Sequence, residues 1–177
     1  IVQELYEKKL VTYPRTDARV LSTAVSKEIY KNISGLRNYP HVSELAQEVL
    51  EMGSYKKIAS TKYVNDKQIT DHYAIIPTGQ GLGALGSLKG NSFGVYAAIV
   101  RRFLSIFYPP AVYQKVGITT EIRGEQFFSN FKVLKEEGYL KVVGVSNDNE
   151  VDAGLFELLK EVKKGSILPV KESEKKQ

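Results

Sequence analysis

A tyrosine, a proline and two arginines stand close together near the start of the chain, in Thr12-Tyr13-Pro14-Arg15-Thr16-Asp17-Ala18-Arg19. Proline fixes its own φ and disfavours helix for the residue before it, so Tyr13 is expected on a stiff extended segment between helices. In such a segment residues i and i+2 point the same way, which lets the Tyr13 phenol and the Arg15 guanidinium converge on one group. A phenol with an ordinary pKa of about 10 must lose its proton to act as a nucleophile. If it attacks a phosphodiester, the nonbridging oxygens gain charge, and an arginine fork answers both requirements. The same residues also suit a turn with a packed aromatic ring and a solvated arginine.

A second cluster runs from Asn65 to Thr78, Asn-Asp-Lys-Gln-Ile-Thr-Asp-His-Tyr-Ala-Ile-Ile-Pro-Thr. His72 sits there among charged and hydroxyl side chains, where an imidazole can hydrogen-bond a phosphate or move a proton near neutral pH. A loop histidine that caps backbone groups is the plainer reading. Gly81-Leu82-Gly83-Ala84-Leu85-Gly86 matches the dinucleotide fingerprint in letters only. That fingerprint needs a preceding strand, an immediate helix and an acidic residue about 20 positions on. Here Pro77 and Gly79 precede it, Gly90-Asn91 delays the helix, and positions 101 and 102 are arginines. A glycine-rich connector is expected, able to act as a hinge or to let backbone approach a neighbour. Arg101 and Arg102 are placed on the polar face of a helix, solvated or in contact with phosphate. The aromatics of 127–131 are read mostly as core, with an exposed ring able to stack a base.

These residues must be held by elements that the hydrophobic spacing outlines. Residues 1–10 read as a helix already under way. Ser22 is expected to cap a helix carrying Val25, Ile29 and Ile33 and ending near Gly35. A third helix is expected from about Pro40 to Met52, with Gly53 as its C-terminal cap. Asn91 is placed as the cap of a fourth, with Phe93, Tyr96, Ala97, Val100, Phe103, Leu104 and Phe107 on one apolar face and Pro109-Pro110 as its stop. Beyond Ala111 strands take over. Val112–Ile122 and Gln126–Leu134 are expected to pair through a turn at Arg123-Gly124, with Tyr139–Val145 and Ile167–Val170 as further strands. Ser146–Asp152 is read as a polar loop, 155–164 as a short helix or irregular crossing, and the last six residues as a frayed end.

The fold class expected is therefore α+β, with a helical domain over 1–110 and a β-rich segment over 111–177. Charge follows the same division. The 177 residues carry a net +5. Residues 1–110 hold 14 Lys and Arg against nine Asp and Glu, and the remainder is balanced at 11 of each. A polyanionic partner would meet the helical part. No apolar run approaches the roughly 20 residues that cross a bilayer, and no basic stretch leads into an apolar one at the N-terminus. With no cysteine and two histidines, His41 and His72, disulfides, Cys-based zinc sites and sites built on several histidines are excluded.

Three runs taken together, LYEKKLVTYPRTDARVL at 5–21, VNDKQITDHYAIIPTG at 64–79 and IVRRFLSIFYPPAVYQK at 99–115, closely resemble the type IA DNA topoisomerases, in particular their bacterial topoisomerase III branch. The resemblance covers nearly the whole chain and weakens after about residue 145. It implies that Tyr13 is the tyrosine that attacks one DNA strand and becomes linked to its 5′ phosphate, that Arg15 positions and neutralises the scissile phosphate, and that His72 contacts the DNA phosphate nearby. Thr16, Arg19, Lys67, Tyr73, Arg101 and Arg102 are placed as nucleic-acid contacts. Tyr73 stands where that branch usually shows a second histidine in its D-H-H-A-I-I-P-T motif.

The resemblance further implies a Toprim domain whose acidic residues hold Mg²⁺ and protonate the leaving 3′ oxygen. No DxD motif occurs in these residues. The chain thus reads as a central fragment, helical tyrosine domain plus part of a β arch, inactive alone, without a cofactor of its own, and partnered by single-stranded DNA and by the Toprim domain of the same polypeptide. Its location is expected to be cytoplasmic, with the nucleoid. The implied reaction is ATP-independent breakage, passage and rejoining of one strand. A rival from another class is a non-catalytic single-strand-binding module in which Tyr13 stacks on a base. A tyrosine recombinase fits less well, since its tyrosine normally follows its arginines and histidines.

Overall fold

A computed structural model describes residues 1–144, 157 and 159–169. The chain divides into two units, Ile1–Ala111 with Glu137–Val145, and Val112–Glu136 with Ser146–Gln177. The first is helical and the second carries an antiparallel sheet, an α+β composition as expected.

In the helical unit, α1 (Val2–Glu7) is followed by α2 (Thr23–Leu36), α3 (Ser43–Met52) and α4 (Ser92–Ser105), with α5 (Leu140–Val143) added late. The α2 cap works as its sequence suggests: the Ser22 side chain accepts the Val25 amide at 3.2 Å, a contribution of about 1 kcal/mol. Ser26, Ile29, Ile33 and Leu36 then form one buried stripe at helical spacing. α3 ends on Gly53 in the left-handed conformation at φ 65°, which spares a side chain a steric clash. Its start lies later than Pro40, because Tyr39 donates to Leu36 and Val42 to Tyr39 in turns before the helix begins. Asn91 takes the N-cap position of α4, but only its backbone carbonyl takes part, accepting the Val95 amide at 3.0 Å. Its side chain accepts no amide there, and Ser92 instead donates its hydroxyl to Glu4 at 2.7 Å. The α4 stripe is Tyr96, Val100, Phe103 and Leu104, whereas Phe93 is exposed.

These stripes meet in one core that joins Leu5, Leu10 and Val11 to Ile29, Ile33, Leu36, Val49 and Val100. Full burial of such a side chain stabilises by about 1.5–3 kcal/mol, so α1 and the residues just after it are firmly anchored.

Within the expected strand over Tyr139–Val145, Leu140–Val143 form a helical turn. Gly138, at φ 49°, has its backbone against the carbonyls of Pro109 and Pro110, where a Cβ would collide. Tyr139 donates to Pro109 at 2.9 Å, and Val142 is buried in the helical core. This segment, expected on the β side of a division at residue 110, therefore groups with the helices.

The second unit contains β1 (Val112–Ile122) and β2 (Glu125–Glu136), paired antiparallel from Ile122↔Glu125 outward. Arg123 and Gly124 both have positive φ, 52° and 85°, the geometry of a two-residue hairpin turn whose twist suits the strands. Phe127 and Phe128 are exposed, not core, and Phe131 is half-buried. Among the described residues the sheet has two strands and presents no second layer to cover those rings. Ile167–Pro169 carries no strand, and Ile167 is 94% exposed; Pro169 lacks the amide a ladder would use. Residues 159–161 are helical, while the expected loop at 146–152 and the frayed end lie outside the described residues. Among those described, no helix is long and apolar enough to cross a membrane.

Candidate nucleic-acid site at Tyr13 and His72

α1 ends in a reversal at Lys9, a non-glycine residue at φ 60°. The chain then runs extended beside residues from the second cluster. Val11 bridges Pro77 in antiparallel sense, Thr12 donates its amide to Ile76 at 2.9 Å, and Thr78 donates its amide to Leu10 at 3.0 Å. The Thr12 hydroxyl reinforces this ladder by accepting the Ile76 amide at 3.0 Å, and the Thr78 hydroxyl donates to Lys9 at 2.5 Å. Two threonines thus tie one segment to another more than 60 positions away.

Tyr13 emerges where that ladder ends, and His72 lies beyond its end on the partner segment. Their rings meet at a centroid distance of 4.4 Å, tilted by 44°. Tyr6, on α1, makes a T-shaped contact with Tyr13 at 5.4 Å and 88°. Such pairs contribute about 0.5–1.5 kcal/mol each beyond burial, enough to restrict the phenol's direction. Thr16 closes the loop by donating to the His72 carbonyl at 2.7 Å while accepting the Ala18 amide at 3.0 Å. Tyr13 is half-buried and His72 exposed, so the pair is open to a long ligand.

The other residues singled out from sequence fall at different places. Arg15 is exposed on the Tyr13 loop, and among the described residues it forms no ion pair. Its charge is therefore not spent on a carboxylate there. Tyr73 is half-buried against the core, and burial raises its phenol above the ordinary tyrosine range. Lys67 is exposed in a short 3₁₀ turn whose neighbour Asp66 accepts the Thr23 amide at 2.8 Å and hydroxyl at 2.6 Å. Those two bonds hold the Asp66 carboxyl below its usual range.

Arg101 and Arg102 do not share a surface role. Arg101 lies against Gly144 and near Tyr39, whereas Arg102 faces the Tyr63 ring at 6.0 Å and lines a groove with Arg19. The Gly81–Gly86 run forms no dinucleotide cradle. It leads into a short 3₁₀ helix, Leu82–Ser87, before α4 opens at Ser92. Gly81 serves close approach of another kind, for a Cβ there would strike the Lys8 carbonyl.

Tyr6 and Tyr63 were not singled out from sequence. Tyr6 stands seven residues before Tyr13 on a helix, and only the reversal at Lys9 returns the chain to it. Tyr63 carried a weak signal, an aromatic beside Lys62 at the edge of the second cluster. Among the described residues, no three His, Asp or Glu side chains could hold a metal ion together. What the arrangement offers is a held phenol, an imidazole beside it and free guanidinium groups, a set suited to a phosphodiester.

The whole chain, residues 1–177, matches the family model described as DNA topoisomerase. It is similar to proteins named DNA topoisomerase 3 from Bacillus licheniformis and Bacillus subtilis, at 34% identity to each over 97% of this chain. A third, from Bacillus cereus, is 32% identical over the same share. The chain spans 23% of the length of each of these relatives.

Proposed function

The chain belongs to the DNA topoisomerase family, and from that premise we propose that it supplies the strand-breaking tyrosine of a type IA enzyme. The carrying observation is the Tyr13–His72 contact, held by a ladder between two segments far apart in sequence. In this reading the Tyr13 oxygen, its proton lost, attacks the phosphorus of one DNA strand. A bond from phosphorus to the tyrosine oxygen forms as the bond to the 3′ oxygen breaks. The leaving oxygen takes a proton and becomes a free 3′ hydroxyl, and the 5′ phosphate stays on Tyr13.

Arg15 neutralises the nonbridging oxygens, and His72 hydrogen-bonds a phosphate next to them. Attack by the 3′ hydroxyl reverses every step and reseals the strand without ATP, because one phosphoester replaces another. Single-stranded DNA is the substrate that the open, basic face suits. Residues outside these 177 would hold the Mg²⁺, and the 177 residues alone would not relax supercoiled DNA. A cytoplasmic place on the nucleoid accompanies this reading.

A module that only binds single strands would use the same Tyr13 ring for stacking. The two part on one substitution in the full-length protein. Tyr13→Phe is expected to abolish the covalent protein–DNA adduct seen after denaturant quenching while single-strand affinity stays within about twofold, since the phenyl ring can still stack. An adduct that survives in the variant overturns the assignment of Tyr13.

A further inference from the structure

Between the segment around Leu21, the Ala74–Ile76 segment and α4 lies a cavity of about 340 Å³. Its lining includes the apolar Leu21, Ile75 and Ile99, the aromatic Tyr63, and the exposed Arg19 and Arg102. The Arg102 guanidinium is 6.0 Å from the Tyr63 ring centroid. Among the described residues neither arginine forms an ion pair. Arg19 is six residues from Tyr13, and Ala74 is two from His72 and donates its amide to Val20 at 2.9 Å.

We propose that this groove is a subsite for one unstacked nucleotide of a DNA single strand, its base against Tyr63 and the aliphatic wall and its flanking phosphates on Arg19 and Arg102. The reading rests on the proposed DNA-cleaving function and adds a second place on the molecule where the strand is held. A groove that was only a seat for another protein segment would have no use for two unpaired guanidiniums beside an aromatic ring. A base with its phosphates needs both, because every base has a face to stack and every linkage carries a charge. The volume lies at the small end of ligand pockets, large enough for a base with its sugar and too small for a paired duplex.

The test measures binding of a fluorescent thymidine oligonucleotide to the full-length protein across a salt series. Tyr63→Leu is expected to weaken binding about tenfold at every salt concentration, and Tyr63→Phe to restore it. Arg102→Gln, at an exposed position, is expected to make the salt dependence shallower by about 0.7 of a logarithmic unit. An oligonucleotide bearing abasic sites is expected to lose affinity for the unaltered protein and nothing more for Tyr63→Leu. Parental affinity and salt slope in both Tyr63→Leu and Arg102→Gln would overturn the proposal, as would equal loss on Tyr63→Phe and Tyr63→Leu. If the unaltered protein binds the strand and forms the Tyr13 adduct while these variants behave like it, the groove assignment alone fails. If the unaltered protein forms no adduct, the cleavage reading fails.

Discussion

In the helical unit Leu5, Ile33, Val49 and Val100 lie in one core although nearly 100 residues separate the first from the last. In the hairpin every pairing joins neighbouring stretches of chain, and Val133 is its buried residue, 8% exposed. Both are regular, but for different reasons. The hairpin draws its register from a two-residue turn and from cross-strand bonds, which specify pairing without requiring burial. An isolated two-stranded hairpin is marginal in water. The helical unit draws its geometry from burial of distant segments, and the Tyr13–His72 contact sits at the edge of that burial. The Tyr13–His72 contact is thus found beside the core, not where the local pairing is best.

The comparison breaks most visibly on core truncation. Ile33→Ala is expected to lower the stability of the helical unit by about 2–5 kcal/mol, read from urea unfolding of the helical circular-dichroism signal. Val133→Ala should lower that of the 177-residue chain by about 1 kcal/mol or less. Equal losses would mean that the hairpin has a core of its own. Gly35→Ala tests a narrower point. A Cβ there would strike the Gly79 carbonyl, so a loss of about 1–3 kcal/mol is expected. Because Gly79 adjoins Thr78, faster amide exchange at Thr12 and Thr78 should accompany it. A neutral Gly35→Ala would remove the argument that close α2 packing positions the site.

The smallest effect concerns Glu48, whose carboxylate accepts from Lys141 at 2.7 Å and from Tyr108 at 2.9 Å. The Lys141 hydrogen bond, aided by Tyr108, holds its carboxyl below the usual range. A carboxyl depressed in the folded state stabilises above its unfolded pKa of about 4.3, and the gain fades as pH falls through the lower folded value. With both partners partly exposed, Glu48→Gln should lower stability by under about 1 kcal/mol near neutral pH. That difference should vanish in acid. A difference that grows as pH falls would show that the pair does not tie α5 to α3 in this way.

Much of the local structure was legible in the residues themselves. The Ser22 cap, the Gly53 stop and the Arg123-Gly124 turn each depend on a side chain or φ angle within a few positions, so sequence suffices to locate them, whereas α4 ends at Ser105, short of the expected Phe107 and of Pro109-Pro110. The expected strand at Tyr139–Val145 failed because alternation of apolar residues does not say what they will be buried against. Here Leu140 and Val142 are both buried from a single helical turn, Val142 within the helical core. The rings at 127 and 128 were misread for the same reason, since apolar character cannot reveal whether a second layer exists.

By itself the sequence determined which groups are available for chemistry: a tyrosine stiffened by Pro14, an arginine two residues on, a histidine in a polar run, and a surplus of positive charge in residues 1–110. Those follow from residue type and from constraints that act over a few bonds. Only the tertiary structure decided that Tyr13 meets His72 and Tyr6, that Arg102 turns to Tyr63 while Arg101 turns to Gly144, and that Gly81 packs on Lys8. Each of these joins segments brought together by burial of a shared core, a property of many side chains at once that no short stretch of chain encodes.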